Sequence, residues 1–305
     1  MTKSPLVSCV IPTHNRADLL PRAISSNQNQ TYKNLEIIIV SDGSTDNTKN
    51  IVADIAKNDN RIKFFENILA QGGNVARNTG IELSEGEYVA FLDDDDEWLP
   101  EKIEKQLAIM ESDESVGLVY TGVHIIYVNE KSEYNSKARE VGNLNKRILL
   151  DNCVGTTSTV MVRKDILKKT GVFDVELKAL QDYDLWIRIC QCCNVGMVCE
   201  EMINYYNYTG TAQVSALTKK YEESFAYINK KYENLFSMLS EDEASQKKNN
   251  ETSLLINKAM RNGDKKLARF YAKKALGMSF SKKNIAYYLL SFFKYKTVLK
   301  IRSKI

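Results

Sequence analysis

Long apolar runs are absent from this 305-residue chain. No stretch reaches the roughly 18–20 apolar residues that a helix needs to cross a bilayer. The N-terminal segment MTKSPLVSCVIPTHN also lacks the apolar core of a secretory signal. Internal repeats and low-complexity tracts are missing as well, which argues against a solenoid. We therefore expect a cytoplasmic globular protein without a membrane-spanning helix.

A cysteine pattern typical of a metal site is also missing. Cys190, Cys192 and Cys193 lie close together, but they do not form a C-x-x-C pair and no histidine is near. We interpret the six cysteines as reduced residues that pack like small hydrophobes, with a metal site as the alternative reading of the cluster.

Charge is distributed unevenly between the two ends of the chain. Residues 216–305 hold 20 Lys and Arg against 8 Asp and Glu, whereas residues 1–215 hold 22 against 31. The resulting net charges of +12 and −9 suggest two parts with different roles. We place a catalytic domain at residues 1–216, with a nucleotide-binding half to about residue 98 and an acceptor half at 99–216. A basic helical region follows at 217–305.

Strand and helix patterns alternate in the first third of the chain. Four short apolar runs predict buried strands, and three segments of helical spacing lie between them. The strands are Leu6–Ile11, Leu35–Val40, Ile62–Phe65 and Tyr88–Leu92, and the helices are Ala17–Gln28, Asp46–Asn58 and Gly73–Leu83. This order predicts an α/β fold with a mixed, mostly parallel sheet flanked by helices.

The C-terminal region shows helical spacing only. We predict four helices there, with Glu241–Glu251 as a polar connection: Tyr221–Leu239, Thr252–Met260, Leu267–Leu276 and Asn284–Ile301.

Polar residues follow each of the four predicted strands. Thr13 and Asn15 follow the first strand, Asp42 the second, Asn67 the third, and Asp93–Asp96 the fourth. Ligands of open α/β sheets bind outside the carboxyl ends of the strands. The convergence of these residues on one rim predicts a ligand site.

The four consecutive aspartates suggest a cation site. Adjacent carboxylates repel one another unless a cation is present, and Mg²⁺ or Mn²⁺ often joins one or two aspartates to substrate phosphates. The alternatives are a solvated acidic turn or a Ca²⁺ loop, although the spacing of an EF-hand is absent.

These motifs, taken in order, resemble the four signatures of family 2 glycosyltransferases with the GT-A fold. The resemblance covers roughly residues 5–215. The segments that carry it are Val7–Asn15, Val40–Asp46, Gly73–Gly80 and Phe91–Asp96.

The resemblance implies a role for each matched residue. The nucleotide-sugar would be bound by Pro12, Thr13, Asn15, Asp42, Asn67, Arg77, Asp93 and Asp94. Asp42 would meet the base, Arg77 the diphosphate or ribose, and Asp95 would be the direct ligand of Mn²⁺ or Mg²⁺. A turn-fixing role for Asp42 and a surface ion pair for Arg77 are the simpler alternatives.

Asp182, in the segment Gln181-Asp182-Tyr183-Asp184, matches the family's catalytic base. An inverting transfer needs one carboxylate to take the proton of the acceptor hydroxyl. Asp182 would alternatively cap its helix, where the helix dipole would lower its pKa. We expect Asp184 and Arg188 to be structural and Trp186 to lie in the core.

One departure from the family concerns a histidine after the last strand that helps to hold the metal or diphosphate. Here that stretch reads Tyr206-Asn207-Tyr208-Thr209, and the chain's two histidines, His14 and His124, lie elsewhere. Two alternatives follow: metal affinity is weak, or the closing loop uses Thr209, Gln213 or Ser215.

The expected activity is inverting transfer of a hexose or N-acetylhexosamine from a UDP-sugar to a glycan, lipid-linked or glycoprotein acceptor. A scaffolding subunit that binds the donor without turnover is the alternative. A nucleotidyltransferase is disfavoured because no glycine-rich loop follows the first strand.

The basic, aromatic segment Asn284–Ile301 suits an anionic membrane surface at the inner face of the cell membrane, or packing against neighbouring helices or another subunit. Nucleic-acid binding is not expected, since no binding module accompanies the charge.

Overall fold

The computed structural model describes residues 4–208 and 217–302. A single mixed sheet forms the centre of the molecule, as predicted. Its strands are β1 (Val7–Thr13), β2 (Leu35–Asp42), β3 (Ile62–Asn67), β4 (Tyr88–Phe91), β5 (Glu97–Trp98), β6 (Val116–Tyr127), β7 (Ser132–Ser136), β8 (Met161–Arg163) and β9 (Asn194–Asn207).

The strand order is β3-β2-β1-β4-β8-β6-β9-β5, and β7 pairs with β6 at the side. The pairs among β1 to β4 are all parallel, as is β6 with β9, whereas β8 runs antiparallel to both of its neighbours. β1, β2 and β4 are buried along their whole length and are mostly apolar, as is usual for parallel strands covered on both faces. The predicted α/β sheet is therefore confirmed.

In the described part of the chain, six helices accompany the sheet and six more follow it. The first six are α1 (Leu20–Gln28), α2 (Thr48–Ala56), α3 (Gly73–Leu83), α4 (Lys102–Ser112), α5 (Lys164–Thr170) and α6 (Gln181–Cys190). The C-terminal six are α7 (Thr218–Lys231), α8 (Glu233–Phe236), α9 (Glu241–Arg261), α10 (Lys265–Met278), α11 (Lys282–Leu290) and α12 (Tyr295–Arg302). Two short 3₁₀ helices lie at Arg147–Leu149 and Thr157–Thr159.

The prediction of a polar connection at Glu241–Glu251 was wrong, because this segment is the first half of α9. Ser240 and Glu243 form a capping box, in which each side chain accepts a hydrogen bond from the other residue's backbone N–H. Lys247 is then buried against Asn229 and Glu251. A strong cap and tertiary contacts thus outweigh the polar composition.

The predicted helix Asn284–Ile301 is in fact two helices, α11 and α12. The chain leaves α11 at Ser291, and Lys265 donates to the carbonyl of Phe292 in the connection. The break lets Val298 and Leu299 turn into the core, where both are buried. The apolar residues of this segment do not form the single stripe of one amphipathic helix, and only some of them are buried: Val298 and Leu299 are, whereas Leu289, Phe292 and Phe293 are exposed.

One apolar cluster joins the sheet to the C-terminal helices. It contains Val10 and Phe91 from the sheet and Ile256, Tyr271 and Val298 from the helical region. No helix in the two described ranges is both long and apolar enough to cross a bilayer.

Candidate active site

The carboxyl ends of β1, β2 and β4 bring the predicted site residues to one rim. β1 and β2 are in parallel register up to Thr13 and Ser41, and Asp42 lies opposite Asn67 of β3. Pro12 and Thr13 are buried in the last residues of β1. The motifs that lie far apart in the sequence are therefore neighbours at this edge.

Asn15 holds the loop that follows β2. It adopts a left-handed conformation (φ 51°), which asparagine tolerates better than most residues. Its side-chain oxygen accepts a hydrogen bond from the backbone N–H of Thr45 at 2.7 Å. His14 reaches the same loop through the carbonyl of Asp42, with 2.6 Å between Nδ1 and the oxygen. Asn15 thus shapes the rim by fixing the adjoining loop.

The carboxylate of Asp42 organises the turn between β3 and α3. It accepts hydrogen bonds from the backbone N–H groups of Gln71 (2.9 Å) and Gly72 (2.7 Å), and from Asn67 Nδ2 at 3.3 Å. Gly72 has a φ of 104°, a conformation that favours glycine. Asp42 therefore fixes a turn in this structure, and its contact with a base stays a prediction.

Asp93 is the first carboxylate after β4 and pairs with Arg77 of α3. The distance from the Arg77 guanidinium to Oδ1 is 2.6 Å, and Thr157 donates to the same carboxylate. Arg77 therefore forms an ion pair with a carboxylate, as the simpler alternative stated. Its partner, Asp93, is however one of the predicted site residues.

Asp94 and Asp95 have different partners. Thr13 donates to Asp94 at 2.7 Å, whereas Arg16 contacts Asp95 at 3.0 Å. Burial, and next the charge of Asp95, raises the pKa of Asp94 to about 7. Negative charge is therefore crowded at this point of the rim, as the sequence led us to expect.

Asp96 is fully buried, and its hydrogen bonds connect neighbouring segments of the fold. Ser158 donates to one of its oxygens at 2.6 Å, and the backbone N–H of Tyr206 donates to the other at 3.2 Å. Ser158 also receives the N–H of Asp93 at 3.1 Å. Sequence reasoning missed Ser158, because nothing in the segment Thr157–Arg163 distinguishes it from an ordinary strand residue.

The acidic rim fits a divalent cation that completes its coordination with substrate oxygens. Asp95 and Asp93 are partly exposed, with 15% and 27% of their side chains accessible. Within the described part of the chain, no group of three or more acidic, histidine or cysteine side chains is arranged as a full metal cage. One or two carboxylates with phosphate oxygens is the usual arrangement for Mg²⁺.

Asp182 lies in the first turn of α6, after a strained residue. Leu180 has a left-handed backbone (φ 60°, ψ 26°) and precedes Gln181 and Asp182. One oxygen of Asp182 accepts the N–H of Tyr183 at 2.7 Å, and Asn152 Nδ2 lies 3.4 Å from the other. The N-cap of α6 is Leu180 and no side chain caps this helix end, so the capping alternative for Asp182 is wrong; its bond to the Tyr183 N–H joins adjacent residues and leaves the second oxygen near Asn152.

Burial dominates the electrostatics of Asp182. It raises the pKa of this carboxyl to about 6, although the Tyr183 N–H and the charge of Arg77 act in the opposite direction. The expected lowering at a helix N-terminus is thus overcome by desolvation. A carboxyl of this pKa is ionised at neutral pH and binds a proton more readily than an exposed aspartate.

Two asparagines that the sequence analysis passed over connect the two halves of the site. Asn74 donates to the carbonyls of Asp174 (2.8 Å) and Leu177 (3.1 Å). Asn78, one turn later in α3, exchanges two hydrogen bonds with the backbone of Phe173. These contacts anchor the segment that leads into α6, and two asparagines four residues apart on one helix face were the available signal.

The segment Tyr206–Tyr208, where relatives carry the histidine, lies at the end of β9. Tyr206 lies under the guanidinium of Arg22, with 3.7 Å to the ring centroid. Thr209, Gln213 and Ser215 lie outside the described residues.

Trp186 and Asp184 of α6 are buried, and Asp184 pairs with Arg188 at 2.8 Å, in agreement with their predicted structural roles.

The cysteine cluster shows no sign of metal binding among the described residues: Cys190 is buried in the core, and Cys192 and Cys193 are free thiols.

Solved structures with the same fold support the class of the protein. TarS residues 1–349 of S. aureus, in complex with UDP-GlcNAc, align with a TM-score of 0.58 at 18% identity, over 98% of this chain and 91% of that one. A mannosyltransferase of Pyrobaculum calidifontis, in complex with GDP-Man and Mn²⁺, gives 0.58 at 16% identity, over 98% and 87%. The fold is that of the GT-A class.

The sequence comparisons specify the family. Residues 8–171 match glycosyl transferase family 2. A putative colanic acid biosynthesis glycosyl transferase of Escherichia coli K12, WcaA, is 33% identical over 75% of this chain and 82% of its own length. An uncharacterized glycosyltransferase of Rickettsia typhi is 36% identical over 64% of this chain and 61% of its own length. The chain belongs to glycosyl transferase family 2 and is a glycosyltransferase.

Proposed function

We propose that this enzyme transfers a hexose or N-acetylhexosamine from a UDP-sugar, with inversion, to a lipid-linked glycan used in polysaccharide biosynthesis. The observation that carries the proposal is the partly buried Asp182, whose pKa is raised to about 6, beside the Arg77–Asp93 pair. A base and a phosphate-binding rim are the two parts that such a transfer requires.

Named relatives support the acceptor class. WfaP of Escherichia coli, a UDP-Glc:α-D-GlcNAc-diphosphoundecaprenol β-1,3-glucosyltransferase, is 34% identical over 60% of this chain and 70% of its own length. A GalNAc(5)-diNAcBac-PP-undecaprenol β-1,3-glucosyltransferase of Campylobacter jejuni is 50% identical over 96 residues, or 31% of each chain. Both names describe acceptors that carry a diphosphate and a polyprenyl chain.

In the proposed mechanism, Asp182 takes the proton of the acceptor hydroxyl as its oxygen attacks the anomeric carbon. The bond from that carbon to the diphosphate breaks on the opposite face, and the electron pair leaves with UDP. Asp95, with Asp93, would hold Mn²⁺ or Mg²⁺; the chemistry that the bound cation supplies is neutralisation of the departing diphosphate. Arg77 orients Asp93 and adds positive charge beside it.

The remaining rim residues are proposed to bind the donor. Pro12 and Thr13 would line the nucleotide pocket, with Asn15 and Asp42 shaping the loops around the base. Asn67 would support Asp42, to which it donates a hydrogen bond, and Asp94 would meet the ribose or sugar.

Release of UDP from a panel of nucleotide-sugars, with and without Mn²⁺, tests the proposal. We expect one donor to be consumed, with a loss of about 10²–10⁴-fold in rate for Asp182→Asn and unchanged affinity for UDP. Binding of UDP without turnover of any donor by the wild type would favour the scaffolding alternative. Absence of both binding and turnover would contradict the nucleotide site.

We further propose that α10–α12 dock on an anionic membrane, where a polyprenyl-linked acceptor would lie. Five large apolar side chains are exposed in this region: Phe270, Phe280, Leu289, Phe292 and Phe293. Exposed lysines accompany them, among them Lys283 and Lys294. Apolar side chains beside lysines are typical of a helix at the surface of an anionic bilayer.

Flotation with phosphatidylglycerol vesicles tests the docking. We expect the full-length protein to float, and Phe292→Ser/Phe293→Ser to stay at the bottom. Tyr134→Ser, which replaces an exposed aromatic on β7, is the matched control. Equal flotation of all three proteins, or of none, would contradict docking through this surface.

A homo-oligomer, in which the C-terminal helices pack against another subunit, stays a prediction from the sequence.

A further inference from the structure

The four aspartates after β4 form a tight turn, the acidic turn (Asp93–Asp96). The backbone N–H of Asp96 donates to the carbonyl of Asp93 at 3.0 Å, which closes the turn. Asp94 and Asp95 therefore occupy its two central positions. Because central residues of a turn follow its ends, the place of both carboxylates depends on how Asp93 and Asp96 are held.

A single buried hydroxyl holds both ends of the acidic turn. Ser158 accepts the backbone N–H of Asp93 at 3.1 Å and donates to the carboxylate of Asp96 at 2.6 Å. Ser158 and Asp96 are both completely inaccessible to solvent, so bulk water does not compete for these hydrogen bonds. The adjacent Thr157 hydroxyl contacts the Asp93 carboxylate at 3.2 Å. Loss of the Ser158 hydroxyl would release the first and the last residue of the turn together.

The backbone around Ser158 is anchored independently of its hydroxyl. The indole N–H of Trp98 donates to the carbonyl of Ser158 at 2.8 Å. The side-chain amide of Gln106 donates to the carbonyls of Thr159 (2.9 Å) and Val119 (2.8 Å). Trp98 and Gln106 are themselves buried. The hydroxyl is therefore presented to the acidic turn from a fixed position.

The segment that carries Ser158 also reaches the proposed base. Asn152 exchanges two hydrogen bonds with the backbone of Gly155, at 2.9 and 3.1 Å, and its amide nitrogen lies 3.4 Å from Oδ2 of Asp182. Trp186 of α6 donates to the carbonyl of Gly155 at 3.0 Å. One short segment, residues 152–158, thus contacts both the helix of Asp182 and the acidic turn.

We propose that Ser158 is a positioning residue for sugar transfer: its hydroxyl closes the acidic turn and fixes the carboxylates that bind the divalent cation relative to Asp182. The inference rests on the proposed function, in which Asp95, with Asp93, holds that cation. Ser158 acts through the aspartates to which it bonds. Removal of a group that holds metal ligands in place typically lowers metal affinity or activity by about 10–100-fold.

Ser8 of β1 offers a matched control. Its hydroxyl is also fully buried, donates to the buried carboxylate of Glu36 at 2.5 Å and accepts the backbone N–H of Gly86 at 2.9 Å. Ser8 lies five residues before Thr13, or about 16 Å from the rim along the strand. Ser8→Ala therefore removes the same two kinds of hydrogen bond far from the site.

The test compares the wild type with Ser158→Ala and Ser8→Ala. UDP binding is measured by calorimetry with and without Mn²⁺, and binding of Mn²⁺ alone by electron paramagnetic resonance of the free ion. Thermal unfolding reports the loss of stability. Thr157→Val, which removes the neighbouring hydroxyl at nearly constant shape, is a second variant at the same turn in case Ser158→Ala does not fold.

We expect both serine variants to lower Tm by a similar amount, about 2–8 °C, because each deprives a buried N–H and a buried carboxylate of the same partner. Only Ser158→Ala is expected to reduce the ratio of UDP affinity with Mn²⁺ to that without, by about tenfold or more. Its affinity for Mn²⁺ alone should fall as well. Thr157→Val should reduce the ratio less, since it contacts Asp93 only.

An unchanged ratio in both Ser158→Ala and Thr157→Val would overturn the inference while leaving the proposed function intact. Equal reductions in Ser158→Ala and Ser8→Ala would overturn it too, because they would reflect lost stability and not the position of the carboxylates. A wild type that does not bind UDP, or whose UDP affinity does not respond to Mn²⁺, would instead contradict the proposed metal-assisted transfer, and this inference with it.

Discussion

Replacement of Asp182 by asparagine is expected to remove activity and to stabilise the folded protein at neutral pH. Burial raises the pKa of this carboxyl from 3.8 to about 6, so the folded chain binds the proton more tightly than the unfolded chain does. Ionisation of Asp182 therefore costs the folded state free energy of unfolding. That cost is absent below about pH 4 and is incurred as the pH rises to about 6.

The expected change in the free energy of unfolding follows from the change in the pKa of Asp182. A difference of about 2 pKa units corresponds to about 3 kcal/mol at pH 7. Asparagine never ionises and avoids this cost, but its amide group would face the Asn152 amide, which lies 3.4 Å from Oδ2. Rearranging that contact costs about 1 kcal/mol. A gain of about 1–2 kcal/mol remains, or a rise in Tm of roughly 2–4 °C.

The assay is thermal unfolding of the wild type and Asp182→Asn at pH 7.5 and pH 4.5. We expect the variant to be more stable at pH 7.5 and its advantage to shrink at pH 4.5, where the wild-type carboxyl is protonated. Asp165→Asn, at an exposed carboxyl of α5, controls for loss of a surface charge. A less stable variant, or an advantage independent of pH, would refute the reasoning.

Three further outcomes are expected. Asp184→Ala, which leaves Arg188 and Lys231 without their buried partner, should lower the free energy of unfolding by about 3–5 kcal/mol in urea titrations; a loss under 1 kcal/mol would contradict that role. The pH profile of kcat/KM should fall about tenfold per pH unit below about pH 6, because Asp182 must be ionised to accept a proton; a flat profile would argue against this base. Asp95→Ala should abolish the effect of Mn²⁺ on UDP affinity, and an undiminished effect would move the metal site elsewhere.

The sheet and its rim were predictable because the signals were local. Each strand among β1 to β4 is a short run of apolar residues, and a polar residue follows each one. Parallel topology then brings the ends of these strands together. This reasoning located Thr13, Asp42, Asn67 and Asp93–Asp96 on one edge without any knowledge of contacts.

The partners of those residues were not predictable, since they come from distant parts of the chain. Ser158 reaches Asp96 across 62 residues and Tyr206 reaches it across 110. Which carboxylate meets Arg16 and which meets Arg77 depends on where α1 and α3 lie against the rim. No sequence spacing encodes that placement.

The C-terminal region was predictable in type and less so in extent. Helical spacing identified most of its helices, but composition misled at Glu241–Glu251. The residues Ser240 and Glu243 carry the capping-box signature and were sufficient to place the start of α9 there. The break between α11 and α12 depends on burial of Val298 and Leu299, which only the assembled core determines.

The left-handed conformation of Leu180 links the geometry of Asp182, the proposed base, to the integrity of the core. A leucine in this region of backbone space costs about 1–2 kcal/mol, and glycine would avoid that cost. The leucine side chain packs against the main apolar cluster, which offsets the strain. The backbone that leads into Asp182 is therefore held by hydrophobic packing, against the conformational preference of leucine. Substitutions deep in that cluster are therefore expected to shift Asp182 without touching it.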